Sequence, residues 1–245
     1  MKVFQQERTL RTAGGLAVRD ITDEVNEAVR ASGITNGIAC VYSPHTTCCV
    51  RVNEFEKGFL EDFATMLKRI VFFVYGLFSY VIFLGTFLYA IGFIGNFGVP
   101  TTLDGAPGGP LGVALLIDAG LLTLFAVQHS VMARKWFKDW WTRIVPKPLE
   151  RSTYVLFSSL ALIVLFWQWR PLGGLVWSIE DPTGQLVMRV FFAFGWALVL
   201  ISTFLINHFD LFGLRQVWLQ LVGKPYTTLT FGTPGPYKLV RHPLY

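Results

Sequence analysis

The sequence predicts an all-α polytopic membrane protein with four spans, preceded by a soluble α/β segment. Of its 245 residues, 53% are hydrophobic and only 15% are charged, an apolar balance foreign to soluble enzymes. The apolar residues are also unevenly placed: residues 1–66 are mixed and polar, whereas residues 70–208 carry long uncharged runs. The net charge of +5 comes from basic residues clustered beside those runs. That is the charge pattern of membrane topology and argues against nucleic-acid binding.

Residues 70–97 form the first uncharged run; as a helix it measures roughly 42 Å, against a hydrocarbon core of about 30 Å. A loop of turn formers follows, with Pro100, Gly105, Pro107, Gly108, Gly109 and Pro110. Residues 111–132 are the second span and residues 153–169 the third, which ends in Trp167 and Trp169, residues that favour the interface. The fourth covers residues 186–207, broken only by Arg189 near its start, whose side chain can snorkel. Residues 218–222 are too short to cross and are expected at the interface.

Loop charges orient the spans. Lys68 and Arg69 precede the first, the loop after the second holds Arg134, Lys135, Lys138, Arg143, Lys147 and Arg151, and Arg215, Lys224, Lys238 and Arg241 follow the fourth. The other two loops hold Arg170 alone. The positive-inside rule therefore puts the N-terminus, the 133–152 loop and the C-terminal segment in the cytoplasm.

Before the spans, residues 3–10 alternate as a strand does, Thr22 is placed to cap a helix that Ser32-Gly33 ends, and residues 38–42 and 48–52 read as strands with His45 between them. Cys40, Cys48 and Cys49 show no Cys-x-x-Cys spacing, which points to a reducing compartment without a zinc site. No secretory signal is visible in the first 65 residues.

Two groups of polar residues stand out in the apolar part. Asp118 and His129 are eleven residues apart, three helical turns, so they share one helix face, with Gln128 beside the histidine. Either they line a cavity reaching the cytoplasmic side, or Asp118 is a hydrogen-bonded buried carboxyl and His129 an interfacial residue at a helix end. Asn207, His208 and Asp210 close the fourth span, either as interfacial residues or as part of that cavity; His208 and Asp210 cannot share a helix face. The histidines come from separate segments without paired spacing, so no metal is expected. No dinucleotide fingerprint, P-loop or Gly-x-Ser-x-Gly elbow occurs.

Several separated motifs carry a resemblance: M-L-K-R-I-V at residues 66–71, F-A-V-Q-H-S-V-M-A-R at 125–134, W-W-T-R at 140–143, P-L-E-R-S-T-Y at 148–154 and G-P-Y-K-L-V-R-H-P-L-Y at 235–245. From residue 66 onward the chain resembles the methanethiol S-methyltransferases, membrane enzymes of the broader NnrU and isoprenylcysteine methyltransferase group. The resemblance implies methyl transfer from S-adenosylmethionine to methanethiol, giving dimethyl sulfide. It makes Tyr237, Arg241, His242 and Tyr245 the cofactor-binding candidates, with Arg241 suited to the cofactor carboxylate. Asp118 and Gln128 are the substrate-cavity candidates, and His129 is the candidate catalytic base, because imidazole titrates near neutral pH. In that family the last motif opens a fifth span and a later acidic element completes the cofactor site, so the resemblance implies a C-terminally truncated 66–245 domain. An isoprenylcysteine carboxyl methyltransferase-like enzyme and a non-catalytic NnrU-like membrane protein are the alternatives. The expected partners are a small thiol and the lipid bilayer.

Residues 1–65 resemble the first half of YjbQ-like α/β proteins, through I-T-D-E-V at 21–25, residues 37–42, P-H-T-T at 44–47 and V-N-E at 52–54. Residues 64–71 fit both families, which points to a truncated fusion or to an artefact of joining at shared sequence.

Overall fold

The computed structural model describes residues 2–11, 18–44, 48–50, 52, 57–174 and 177–229. The chain divides into two units, Met1–Lys68 and Arg69–Tyr245.

In the first unit, helix α1 (Thr22–Ser32) forms where expected and ends at Gly33, whose left-handed φ of 57° lets its N–H reach Arg30 O. Its start differs from expectation. Thr22 makes no side-chain cap; instead Asp20 Oδ1 accepts from Thr22 N at 2.9 Å. Hydrogen bonding from Thr22, its hydroxyl first and then its N–H, holds the Asp20 carboxyl below its usual range. Residues 3–10, 38–42 and 48–50 join no ladder among the described residues. A strand persists only where a neighbour takes its backbone groups and one face is buried. Here Val3, Ile38 and Val52 are 76%, 100% and 100% exposed.

The remaining elements are α2 (Lys57–Gly95), which begins before the unit boundary, α3 (Leu111–Ala133), α4 (Lys135–Trp141), α5 (Lys147–Gln168), α6 (Pro182–Leu205), α7 (His208–Leu211) and α8 (Leu214–Leu221). Four are long and apolar enough to cross a membrane: α2 from Glu61, α3, α5 and α6. The protein is an integral membrane protein. These are the four spans the sequence predicts, but α2 and α5 begin several residues before their uncharged runs. Glu, Lys and Arg are good helix formers in water, so the helix outlasts its hydrocarbon-compatible part. Pro148 in the first turn favours the start of α5, and Asp181 Oδ2 caps α6 by accepting from Gly184 N at 2.7 Å.

α2 and α5 run parallel. Tyr75 Oη, midway along α2, donates to Thr153 Oγ1 near the start of α5 at 3.0 Å, and Tyr89 stacks on Phe166 at 5.2 Å nearer their ends. α3 lies antiparallel along α5. α6 meets α2 through Trp196, edge-on to Phe87 at 5.3 Å. The buried apolar core of Phe93, Leu165 and Phe166 sits at one end, under the 96–110 loop. That end is tied by three bonds to backbone carbonyls: Gly108 N donates to Pro171 O at 2.9 Å, Trp169 Nε1 to Leu103 O at 3.1 Å, and Thr101 Oγ1 to Phe166 O at 2.9 Å. Large apolar side chains such as Leu116 and Phe191, 76% and 66% exposed, cover the outward faces of α3 and α6, as suits lipid contact.

The opposite, basic end is capped by α7 and α8. Val217, fully buried, sits on Gly76, where a Cβ would come within 2.5 Å of it. Phe212 stacks on Phe83 at 3.8 Å. Gly213 takes φ 87° and lies so close to Ser152 that a Cβ would meet Ser152 N at 2.7 Å. α8, Leu214–Leu221, is a short helix over the segment that the sequence expects at the interface.

Candidate functional site

His129 lies one turn before the end of α3, facing Tyr154 and Ser158, which are one turn apart on α5. Tyr154 Oη is 3.0 Å from each ring nitrogen, so the hydroxyl meets the ring edge between them and serves one at a time. Ser158 Oγ is 3.4 Å from His129 Nδ1. Phe125, one turn earlier, lies 5.3 Å from the imidazole, and Tyr154 5.2 Å. Gln128 Nε2 donates to Met132 Sδ at 3.1 Å and reaches Ser158 Oγ at 3.4 Å. Gln128 Oε1 is buried without a partner. An orphan acceptor costs about 1–3 kcal/mol, so this cluster is ready for one more donor.

Asp118 is buried, 5% exposed, and its Oδ1 accepts from Arg170 N at 3.0 Å, just beyond the end of α5. Its Oδ2 has no partner. Asp118 and His129 do share a helix face, since both have partners on or just after α5. They occupy its opposite ends, about 16 Å apart along the helix axis. The structure brings Gln128 and His129 together and leaves Asp118 at the far end.

The basic end holds two further clusters. His208 is 3% exposed, with Nδ1 2.8 Å from Thr203 Oγ1 and Nε2 2.9 Å from Tyr80 Oη. Its ring stacks on Phe204 at 4.3 Å. Burial pushes the His208 imidazole below its ordinary value. Asp210 turns elsewhere. Its Oδ1 accepts from Arg215 at 2.9 Å and its Oδ2 from Tyr226 Oη at 3.2 Å. Arg215 also donates to Thr227 O and Thr227 Oγ1, both at 2.9 Å, and its guanidinium lies 5.3 Å over the Tyr226 ring. Burial, then the Asp210 charge, raises the Tyr226 phenol above its usual range, so it remains a donor. Asn207, at φ 78°, caps α7 by accepting from Asp210 N at 3.1 Å. The clasp from Asp210 through Arg215 to Thr227 fixes the exposed segment that leads toward residues 235–245.

Tyr237, Arg241, His242 and Tyr245 lie outside the described residues, as does His45. Sequence reasoning missed Tyr80, Tyr154, Ser158 and the Arg215 clasp as site members. Their only signal was a hydroxyl or charge on the predicted face of a neighbouring helix, which becomes visible once the helix pairing is known.

The chain can be set beside known proteins. The family described as UPF0047 protein YjbQ-like matches residues 6–74. The methanethiol S-methyltransferase of Crocosphaera subtropica is 59% identical over 181 residues, covering 74% of this chain and 71% of that protein. The methanethiol S-methyltransferase of Mycobacterium tuberculosis is 52% identical over 178 residues, 73% of each. Nurim of Bos taurus is 32% identical over 141 residues, 54% of this chain and 53% of that protein. No solved structure matches.

Proposed function

The chain belongs to the methanethiol S-methyltransferase family, and on that footing we propose that it methylates methanethiol to dimethyl sulfide, with S-adenosylmethionine as methyl donor. The observation that carries the reading is the 59% identity over 74% of the chain. The charge pattern favours the cytoplasmic membrane with the basic end toward the cytoplasm, where a soluble methyl donor is available.

When bound, the methyl donor would supply an electrophilic methyl group whose sulfonium sulfur is a leaving group able to keep the carbon–sulfur electron pair. Tyr237, Arg241, His242 and Tyr245 are the residues we assign to hold it. The described residues fit an anionic donor group at one further point. Arg69 Nε is buried without an acceptor, and the Arg69 guanidinium lies over Gly223, where a Cβ would come within 2.9 Å of it. Gly223 opens the segment that the Arg215 clasp holds.

His129 is the proposed base. It takes the thiol proton at one ring nitrogen while Tyr154 bonds the other, and the proton leaves toward the basic end. Gln128 Oε1, the orphan acceptor beside the imidazole, receives the thiol S–H on entry, before the proton passes to the ring nitrogen. Phe125 and Tyr154 wall the cluster and exclude water, which strengthens the polar contacts inside. Holding thiol and methyl carbon in line supplies much of the acceleration.

The test is headspace dimethyl sulfide from membranes containing this chain, supplied with methanethiol and S-adenosylmethionine. A companion chain extended with a relative's C-terminal sequence runs beside it. Product from either supports the reading; none from both, with both folded and inserted, overturns it.

A further inference from the structure

We propose that α4 and its flanks form a docking surface for anionic phospholipid headgroups. The helix sorts its side chains. Phe137 and Trp141 stack on each other at 5.7 Å, Trp141 meets Phe157 of α5 edge-on at 6.4 Å, and Lys138 Nζ lies 3.7 Å from Glu150. These contacts fix α4 against α5. Trp136 and Trp140, one turn apart on the other face, are 64% and 48% exposed, and Ile144 beyond them is 64% exposed. Arg134, Lys135, Arg143 and Lys147 are exposed on the same stretch, and Asp139 is its one exposed acid.

Position selects the occupant. The stretch is bracketed by two spans, α3 ending at Ala133 and α5 beginning at Lys147, so it stays at the membrane boundary. Tryptophan favours that depth, with its ring among the upper acyl chains and its N–H at the headgroups. Zwitterionic lipid would satisfy the two indoles but leave four cations without counter-charge. Phosphatidylglycerol-like headgroups satisfy both. Each cation near an anionic surface is worth about five-fold in partitioning. The inference does not depend on the methyl-transfer reading.

The full chain is placed in bilayers of zwitterionic lipid containing increasing fractions of brominated phosphatidylglycerol or brominated phosphatidylcholine, and tryptophan fluorescence is read. Subtracting the Trp136→Phe/Trp140→Phe variant isolates the α4 indoles. The expected result is half-maximal quenching at a mole fraction of the anionic lipid at least about five-fold lower. The preference should vanish in Arg134→Gln/Lys135→Gln/Arg143→Gln/Lys147→Gln and survive in Arg134→Lys/Arg143→Lys. Raising salt on the parent chain gives a second arm that needs no variant, because the preference should shrink as exposed charges are screened. Equal quenching by the two lipids would overturn the proposal and return the surface to a protein partner. A preference that persists in the glutamine variant or at high salt would also overturn it.

Discussion

Tyr80 Oη lies 2.9 Å from His208 Nε2, and the far side of the ring decides which of them donates. Thr203 Oγ1 gives its only proton to Leu200 O at 2.7 Å. It can therefore only accept from His208 Nδ1–H, across 2.8 Å. His208 is thus the neutral Nδ1–H tautomer, and Tyr80 donates to Nε2. One imidazole pins α2, α6 and α7 together.

Burial lowers the His208 pKa, so the pH dependence of stability has a definite sign. Above about 6.5, the ordinary imidazole value, both folded and unfolded forms are neutral and stability is flat. As pH falls below that, the unfolded chain takes a proton that the folded chain refuses, and stability falls. The decline ends once pH passes below the folded pKa. Thermal unfolding in detergent between pH 8 and pH 5 should show this slope, and His208→Asn should remove it. Tyr80→Phe should cost about 1–3 kcal/mol by leaving Nε2 without a donor.

Gly76→Ala should destabilise the basic end by about 1–3 kcal/mol, because its Cβ would press into fully buried Val217. Val217→Ala should be compensatory in that background. Gly85→Ala, on the same helix with open space around it, is the control and should be near neutral. Equal losses at both glycines, read as unfolding midpoints, would sink the packing argument.

Asp118→Asn should leave stability nearly unchanged, because the amide oxygen can still accept from Arg170 N and one unpartnered atom, the amide nitrogen, takes the place of another, Oδ2. Asp118→Leu should lose about 1–3 kcal/mol as Arg170 N is orphaned. A large fall in dimethyl sulfide production by folded Asp118→Asn would assign Asp118 to the substrate cavity.

His129→Ala should lower kcat/KM for methanethiol about 10²–10⁴-fold. An aryl thiol, already ionised near neutrality, should recover most of the loss. If both thiols suffer alike, His129 is not the base.

Arg215→Lys cannot reproduce the fork to Asp210 Oδ1, Thr227 O and Thr227 Oγ1. The expected outcome is a KM for the methyl donor raised about ten-fold, with a smaller change in kcat. An unchanged KM would detach the clasp from donor binding.

The spans were legible because an uncharged run must solve its hydrogen bonding within itself, and in hydrocarbon only a helix does so. The segment before the spans was half legible. α1 depends on local signals, and Gly33 ended it as read; the strands depend on partners, which no local pattern can supply. α4 went unread because K-W-F-K-D-W-W looks like a loop until two of its rings find α5. At the site, Gln128 and His129 were visible as polar residues on an apolar helix. Their pairing with Tyr154 and Ser158 was not, since it depends on the register between α3 and α5. Asp118 and His129 were read on one face correctly, but periodicity fixes direction and says nothing of which partner stands at each turn.

The ties between the 96–110 and 169–174 segments have a consequence for traffic. Among the described residues, Gly108 N bonded to Pro171 O and Trp169 Nε1 bonded to Leu103 O tie the two segments across one end of the helices. A neutral volatile product formed between them would have no directed route through that end. It would diffuse sideways into lipid and distribute between both leaflets. Catalysis here would be scalar, neither consuming nor generating a transmembrane gradient.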